Sequence, residues 1–353
     1  VLVQTDGGRL KMAATNLEMA ITAWVPAQVE EEGAITVPAR LLTEFVNSLP
    51  NERVDLASLP KPRGLTIRCA RSDARIHGTP AEEFPPIPAV EGAVIARIDQ
   101  ESLQRAIAQV VLAAATEESR PVLTGVKVEL ETGEGGKEGR FTLAAADGFR
   151  LAVHRGALLD LAVSGKVEGP LHCIMPARTL QEVNRLLGEG GPPAEMLLAP
   201  QRGQVLFRLP GVEVVSQLIQ GTFPDYARLI PQSYATRVLV GLKEFTGAAR
   251  TASIFARDGS GIIRLHILPG PPSVLRVVAR AEEVGESLGE LDAKVEGAEA
   301  KIAFNSKYLL DVLGVLRQDE VALDVTSPSS PGVFRPVGDE RYVHVVMPMF
   351  VQW

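Results

Sequence analysis

Apolar and polar positions in this chain alternate in short runs, and each series of runs is interrupted by a helical pattern of one recurring kind. Val1–Thr5 and Arg9–Ala14 read as strands joined by the hairpin signal Asp6-Gly7-Gly8. Leu17–Val25 alternates with period two, the mark of a half-buried strand. Leu41, Leu42, Phe45, Val46 and Leu49 then fall at helical spacing, and Pro50 stops that helix. Strand patterns return at Arg53–Leu56, Gly64–Ala70 and Arg75–His77. Pro80, Pro85, Pro86 and Pro88 follow close together; proline removes backbone donors and biases the preceding residue to be extended, so this stretch predicts the way out of a first domain.

A second series opens with a strand at Ala93–Ile98 and a helix capped by Asp99, with Leu103, Ile107, Val110, Val111 and Ala114 on one face. Strands are expected at Gly125–Leu130, Arg140–Ala146 and Arg150–Arg155, with Asp147-Gly148 as a hairpin turn. A helix with Leu180, Val183, Leu186 and Leu187 on one side leads to strands at Met196–Ala199, Gln204–Leu209 and Val212–Ile219. Phe223-Pro224 then repeats the Phe84-Pro85 exit. The third series reads strand Arg237–Val240, helix Leu242–Ala256, strands Gly261–Ile267 and Ser273–Ala281, and a helix after Asn305. It closes on strands at Val321–Thr326, Gly332–Pro336 and Arg341–Met347.

Three stretches are nearly the same text. Ile35-Thr-Val-Pro-Ala-Arg40 recurs as Cys173-Ile-Met-Pro-Ala-Arg178 and, more worn, as Ile302-Ala-Phe-Asn-Ser-Lys307. Each runs a short strand into a helix marked by Pro38, Pro176 or Asn305, residues suited to a helix start. Each puts an acid (Glu44, Glu182, Asp311) four positions after its cation. The copies lie roughly 130–140 residues apart, the length of a domain and not of a solenoid repeat. A similar interval separates Leu103 from Phe245, and the same step back from Leu103 falls before Val1. The pattern therefore predicts an α+β chain of three similar domains, each with two helices on antiparallel sheets, the first lacking its opening strand and helix. Their expected bounds are 1–93, 94–232 and 233–353.

A length of 353 residues agrees with two or three domains, and 46% hydrophobic against 22% charged residues is ample for packed cores. The net charge of −7 argues against coating nucleic acid by bulk charge, though a local basic face can still draw phosphate. Cys69 and Cys173 are the only cysteines, which excludes a disulfide framework. Without a membrane-spanning run or a signal-peptide pattern, a cytoplasmic protein is expected.

Catalytic chemistry is hard to find. His77, His154, His172, His266 and His344 are scattered, and none stands at helical spacing from another, so no metal is expected. Gly133-Glu-Gly-Gly-Lys137 and Gly188-Glu-Gly-Gly191 lack the spacing of a phosphate loop and read as plain turns. The pairs Glu82-Glu83 and Glu117-Glu118 read as solvated loop charge rather than as an acid and a base. No cofactor is implied. Two other features stand out. Arg40, Arg105, Arg120, Arg178, Arg185, Lys243, Arg250 and Lys307 recur on or beside the helices of every series, and such a face would meet phosphates without reading bases. The run Val345-Val-Met-Pro-Met349 is either a last core strand or one wall of an adaptable apolar groove.

At Thr15-Asn-Leu-Glu-Met19, Pro80-Ala-Glu-Glu-Phe-Pro85, Ala145-Ala-Asp-Gly-Phe-Arg-Leu-Ala-Val153, Phe223-Pro-Asp-Tyr226, Phe304–Leu313 and Val345–Met349 the chain resembles the bacterial DNA polymerase III beta subunit family, the sliding clamps. These stretches stand in the family's order along nearly the whole chain. The resemblance implies a ring-shaped homodimer around duplex DNA. Its partners would be the replicative DNA polymerase, the clamp loader and other proteins carrying a clamp-binding motif. It also implies a peptide-binding groove at Leu123, Gly148, Phe149, Arg150, Leu151, Pro224, Arg228, Leu229, Asn305, Tyr308, Val345, Val346, Met347, Pro348 and Met349. Phe149 stands where the family often has histidine, and Ala146 where threonine is common. The expected function is a processivity factor and not an enzyme. Two alternatives stand beside it: a clamp-like binding protein that does not close a ring, and a multidomain enzyme with an unrecognised site.

Overall fold

A computed structural model describes residues 1–91, 94–117, 119–133, 138–163, 171–257, 260–283 and 285–353. Ala93 at the expected domain boundary, Glu118 of the second acid pair and Glu134–Lys137 of the first glycine-rich turn lie outside the described residues.

The chain begins with β1 (Leu2–Asp6), β2 (Arg9–Thr15), β3 (Met19–Pro26), β4 (Ala34–Thr36), α1 (Ala39–Asn47), β5 (Val54–Pro60), β6 (Arg63–Cys69) and β7 (Ser72–His77). Next come β8 (Val94–Ile98), α2 (Gln100–Val110), β9 (Gly125–Glu131), β10 (Arg140–Ala146), β11 (Arg150–Ala157), β12 (Asp160–Val163) and β13 (Leu171–Pro176). These lead into α3 (Ala177–Leu186), β14 (Ala194–Ala199), β15 (Gln204–Leu209) and β16 (Val212–Gln217). The last stretch holds β17 (Thr236–Gly241), α4 (Leu242–Arg257), β18 (Ile262–Leu268), β19 (Val274–Ala281), β20 (Gly285–Gly297) and β21 (Ala300–Asn305). It ends with α5 (Ser306–Val315), β22 (Glu320–Val325), β23 (Gly332–Pro336) and β24 (Tyr342–Val346).

The recurring motif folds as its spacing requires. α1, α3 and α5 each start directly after Pro38, Pro176 or Asn305, and the Asn305 side chain accepts the N–H groups of Lys307 and Tyr308. Leu42, Leu180 and Leu309, at one position of the repeat, are all buried. α1 differs in leaving Leu41 and Val46 exposed, whereas their counterparts Thr179 in α3 and Leu313 in α5 are buried.

The chain divides into two compact units. One takes in residues 1–100, 160–166 and 185–218 and carries a nine-stranded sheet, β12-β8-β14-β15-β16-β3-β2-β1-β4, with a separate sheet β5-β6-β7. Val3, Ile35, Val37, Leu42, Leu65, Ile67 and Ile76 form one of its cores. Across five neighbouring strands the directly opposed residues Asp160, Arg97, Glu195, Arg208 and Glu213 alternate in sign. Arg97 reaches Asp160 at 3.4 Å and Glu195 at 3.0 Å, and Arg208 reaches Glu195 at 3.4 Å and Glu213 at 2.9 Å. Opposite charges in such a row favour this register over any slip.

The other unit holds residues 101–159, 167–184 and 219–353, with a twelve-stranded sheet β13-β9-β10-β11-β24-β23-β22-β17-β20-β19-β18-β21. α4 packs on β18, β19 and β20 and against α5. Pairing of β11 with β24 makes the sheet continuous between elements far apart in sequence. The strand β20 went unread in the sequence, because its inner face carries Ser287 and Gly289 ahead of Leu291, Ala293 and Val295, which dilutes the apolar alternation. Among the described residues, no helix is long and apolar enough to cross a membrane.

Candidate functional site: an apolar groove and a set of helical cations

The sequence-predicted groove residues all fall in the second unit, and the sheet explains how most of them meet. β11 pairs with β24 so that Arg150 stands opposite Val346 and Leu151 opposite Val345. Leu123, Leu151 and Val345 share one apolar cluster with Phe223, Tyr226 and Ile230, from the stretch that bears Pro224, Arg228 and Leu229. Leu123, Leu151, Val345 and Val346 are buried, the first three of them in that one cluster. Phe149, Leu229, Met347 and Met349 are exposed.

Arg150 is the centre of the polar chemistry. Its side chain is only 7% exposed. Its Nε donates to Asp147 Oδ2 at 3.0 Å, and its Nη1 to Asp311 Oδ2 at 2.6 Å. The guanidinium carbon lies 4.4 Å from the centre of the Tyr308 ring, a cation–π contact. Asp147 Oδ1 also accepts the N–H groups of Phe149 and Arg150, at 2.8 and 2.9 Å. Gly148 supplies the positive φ of +93° that this turn needs, and a Cβ there would come within 3.4 Å of Arg120 Nη1. Burial pushes the Tyr308 phenol up, as do Asp147 and Asp311, against the pull of Arg150. A buried cation with two carboxylates and an aromatic face is held in one orientation.

Two residues play parts the sequence did not reveal. Asp147 and Asp311 fix Arg150, yet Asp311 first reads as the acid partner of Lys307 on its own helix. Asn305 is present at the site, but its Oδ1 is engaged in capping α5. The segment Met347–Met349 is tied down on both sides: Met347 N–H donates to Phe149 O and Met349 N–H to Ala303 O, each at 2.8 Å. Arg228 is largely exposed and pairs with Asp225 at 2.8 Å.

Behind the groove lies a buried polar chain. The Tyr342 hydroxyl donates to Gln109 O at 3.0 Å and lies 2.8 Å from His344 Nδ1. Since a carbonyl cannot donate, His344 carries its proton on Nδ1, and Nε2 is left with no partner. His154 Nδ1 lies 2.7 Å from Gln109 Oε1. Burial, and secondarily Arg150, pulls the His344 imidazole down to about 3; burial pulls His154 down to about 4.

The predicted helical cations are less uniform than their spacing. Arg178, Arg185, Lys243, Arg250 and Lys307 are exposed on α3, α4 and α5. Arg40 is exposed on α1 and pairs with Glu44 at 2.8 Å. Arg105 is half-buried and pairs with Glu101 at 2.9 Å, and Arg120 borders Gly148. Among the described residues, no group of three or more His, Cys, Asp or Glu is placed to hold a metal ion.

Known proteins match this chain along nearly its whole length. Family models for the DNA polymerase III beta subunit match in chain order: the N-terminal domain at residues 1–88, the central domain at 97–225 and the C-terminal domain at 227–350. The beta sliding clamp of Bacillus subtilis is 28% identical over 358 residues, which covers 99% of this chain and 90% of that protein. The crystal structure of the Bacillus subtilis DNA polymerase sliding clamp superposes with a TM-score of 0.87 at 26% identity, covering 99% of this chain and 91% of the other. That of the Thermotoga maritima DNA polymerase III beta subunit gives 0.86 at 27% identity, again covering 99% and 91%.

Proposed function

Because the chain belongs to the DNA polymerase III beta subunit family, we infer that it acts as a DNA sliding clamp and not as an enzyme. The observation that carries this reading is the threefold strand-into-helix motif, coinciding with three family domains in their proper order. The domains run 1–93, 94–232 and 233–353. Two copies join head to tail into a ring around duplex DNA, in the cytoplasm. Open strand edges support such a contact: among the described residues β7 pairs only with β6, and residues 285–292 of β20 pair only with β19, since β17 takes residues 293–297. Edges of this kind accept a further strand, and two unlike surfaces meeting head to tail close a ring when the rotation permits.

The mechanism is topological. A closed ring holds its polymerase on DNA because it cannot leave, so its contacts with phosphate need only be weak. Strong ones would brake sliding and make retention fall steeply with salt. The exposed cations Arg178, Lys243, Arg250 and Lys307 in a chain of net charge −7 suit that requirement. The groove takes a short peptide segment from the replicative polymerase, the clamp loader and other clamp-binding partners. Apolar anchors rest on the Leu151–Val345 floor, and Arg150 orients the backbone. Primer extension on a singly primed circle, with polymerase and loader supplied, tests the function. Longer products on adding this protein support it, and unchanged product lengths contradict it.

A further inference from the structure

The groove residues Pro224, Arg228 and Leu229 stand on a segment with little regular structure of its own, a single helical turn at Tyr226–Leu229. Phe223, Tyr226 and Ile230 turn inward and join the cluster of Leu151 and Val345, while Pro224, Asp225, Ala227, Arg228 and Leu229 stay exposed. The Asp225–Arg228 ion pair lies within the segment and so does not tie it to the sheet. Of the hydrogen bonds made by residues 220–232, among the described residues, the one that leaves the segment comes from the Tyr226 hydroxyl, which donates to Glu129 Oε2 at 2.5 Å.

Glu129 belongs to β9, and Lys127, two positions earlier on the same face of that strand, pairs with it at 2.6 Å. The Lys127 ammonium also lies 5.2 Å from the centre of the Tyr226 ring, so the three side chains close on one another. Burial pushes the Glu129 carboxyl up, but the hydrogen bonds from Lys127 and Tyr226 outweigh it and hold the group below its ordinary value. Burial and that same carboxylate push the Tyr226 phenol up. A protonated phenol therefore donates to an ionised carboxylate, a stronger bond than one between two neutral groups.

Resting on the groove reading above, we propose that Tyr226, acting through Glu129, is a positioning residue that holds the Pro224–Leu229 wall in its binding shape before a peptide arrives. Tyr226 adds no contact of its own to the peptide, because its ring is buried and its hydroxyl is engaged. Without this latch the segment samples other arrangements, and the apparent affinity falls in proportion to the time the wall spends in place. A wall that is less often ready slows association, whereas a lost contact with the peptide would speed dissociation.

Stopped-flow polarisation with a fluorescein-labelled peptide, Ser-Gln-Leu-Ser-Leu-Phe-Ser, tests this on the full chain. Tyr226→Phe keeps the ring in its cluster and removes only the hydroxyl. Glu129→Ala removes the acceptor, and Glu129→Gln keeps an acceptor oxygen at the same place. The first two each slow association about tenfold, with dissociation changed less than about twofold. The Tyr226→Phe/Glu129→Ala double variant is no slower than either alone, since both remove one bond. Glu129→Gln associates within about twofold of the unaltered protein. Urea unfolding gives the folded fraction by which each rate is normalised. Unchanged association in Tyr226→Phe, a loss confined to dissociation, or a Glu129→Gln variant as slow as Glu129→Ala overturns the latch and leaves the groove standing. If the peptide does not bind the unaltered protein, the groove reading falls and the latch's part in it falls too.

Discussion

Arg150 and Asp311 lie 161 positions apart in the chain, yet Nη1 of the one donates to Oδ2 of the other at 2.6 Å. The pair joins the start of β11 to α5 and, with Asp147, fixes the guanidinium beside the Tyr308 ring. Removing one partner of a buried pair leaves an uncompensated charge, which costs about 3–5 kcal/mol when no other partner remains. Asp147 still holds Arg150 in an Asp311→Asn variant, so a smaller loss of about 1–3 kcal/mol is expected in urea unfolding. Peptide binding weakens together with it. A variant with full stability and full peptide affinity contradicts the role given to Asp311.

Two buried histidines, His154 and His344, give the protein an acid-sensitive side. His154 and His344 both have folded values pulled below the ordinary 6.5, to about 4 and about 3. The unfolded chain therefore takes up protons first as pH falls. Stability from this source is fully present above about pH 6.5 and is lost between there and pH 4 to 3, on the order of 3 kcal/mol for His154. Chemical denaturation of a His154→Gln variant should show a flatter dependence on pH between 6.5 and 4 than the unaltered protein. An identical slope contradicts the assignment.

The row of alternating charges on the nine-stranded sheet should matter more than an isolated surface pair. Glu195 serves both Arg97 and Arg208 and is one-quarter exposed, whereas the Arg40–Glu44 pair stands open in water. Glu195→Ala is expected to cost about 1 kcal/mol and Glu44→Ala under about 0.5 kcal/mol, since exposed pairs contribute little. Thermal unfolding of the two variants side by side distinguishes them, and equal losses contradict the ladder.

The helical cations should act as weak, additive partners of the DNA phosphates. Alanine at Arg178, Lys243, Arg250 and Lys307 together should flatten the dependence of log affinity on log salt by up to roughly 0.9 for each phosphate no longer neutralised. Binding to short linear duplexes across a salt series reads this slope. A slope unchanged by all four substitutions removes them from the DNA-facing set.

Much of this was legible before the fold. The triplicated motif gave the helix starts because proline and asparagine act locally, through one missing donor or one cap. The groove residues came from the resemblance, since no local rule brings Leu123, Arg150 and Val345 together. Asp311 stayed hidden because its own helix offers Lys307 four residues away, and only β11 pairing with β24 brings a better-held partner. β20 stayed hidden for the opposite reason. Its partners β17 and β19 make it a strand, while its own Ser287 and Gly289 carry no apolar signal. Arg105 shows the limit of reading a charged face from spacing: tertiary packing half-buries it, and Glu101 holds it.

By the proposed mechanism, topology holds a closed ring of this protein on DNA. The protein is loaded on nicked circular duplex, washed at high salt, and the circle is then cut once. Retention through the wash, followed by prompt release on linearisation, is the predicted result. Loss from the intact circle at moderate salt, or retention that survives linearisation of a circle with unblocked ends, would contradict it.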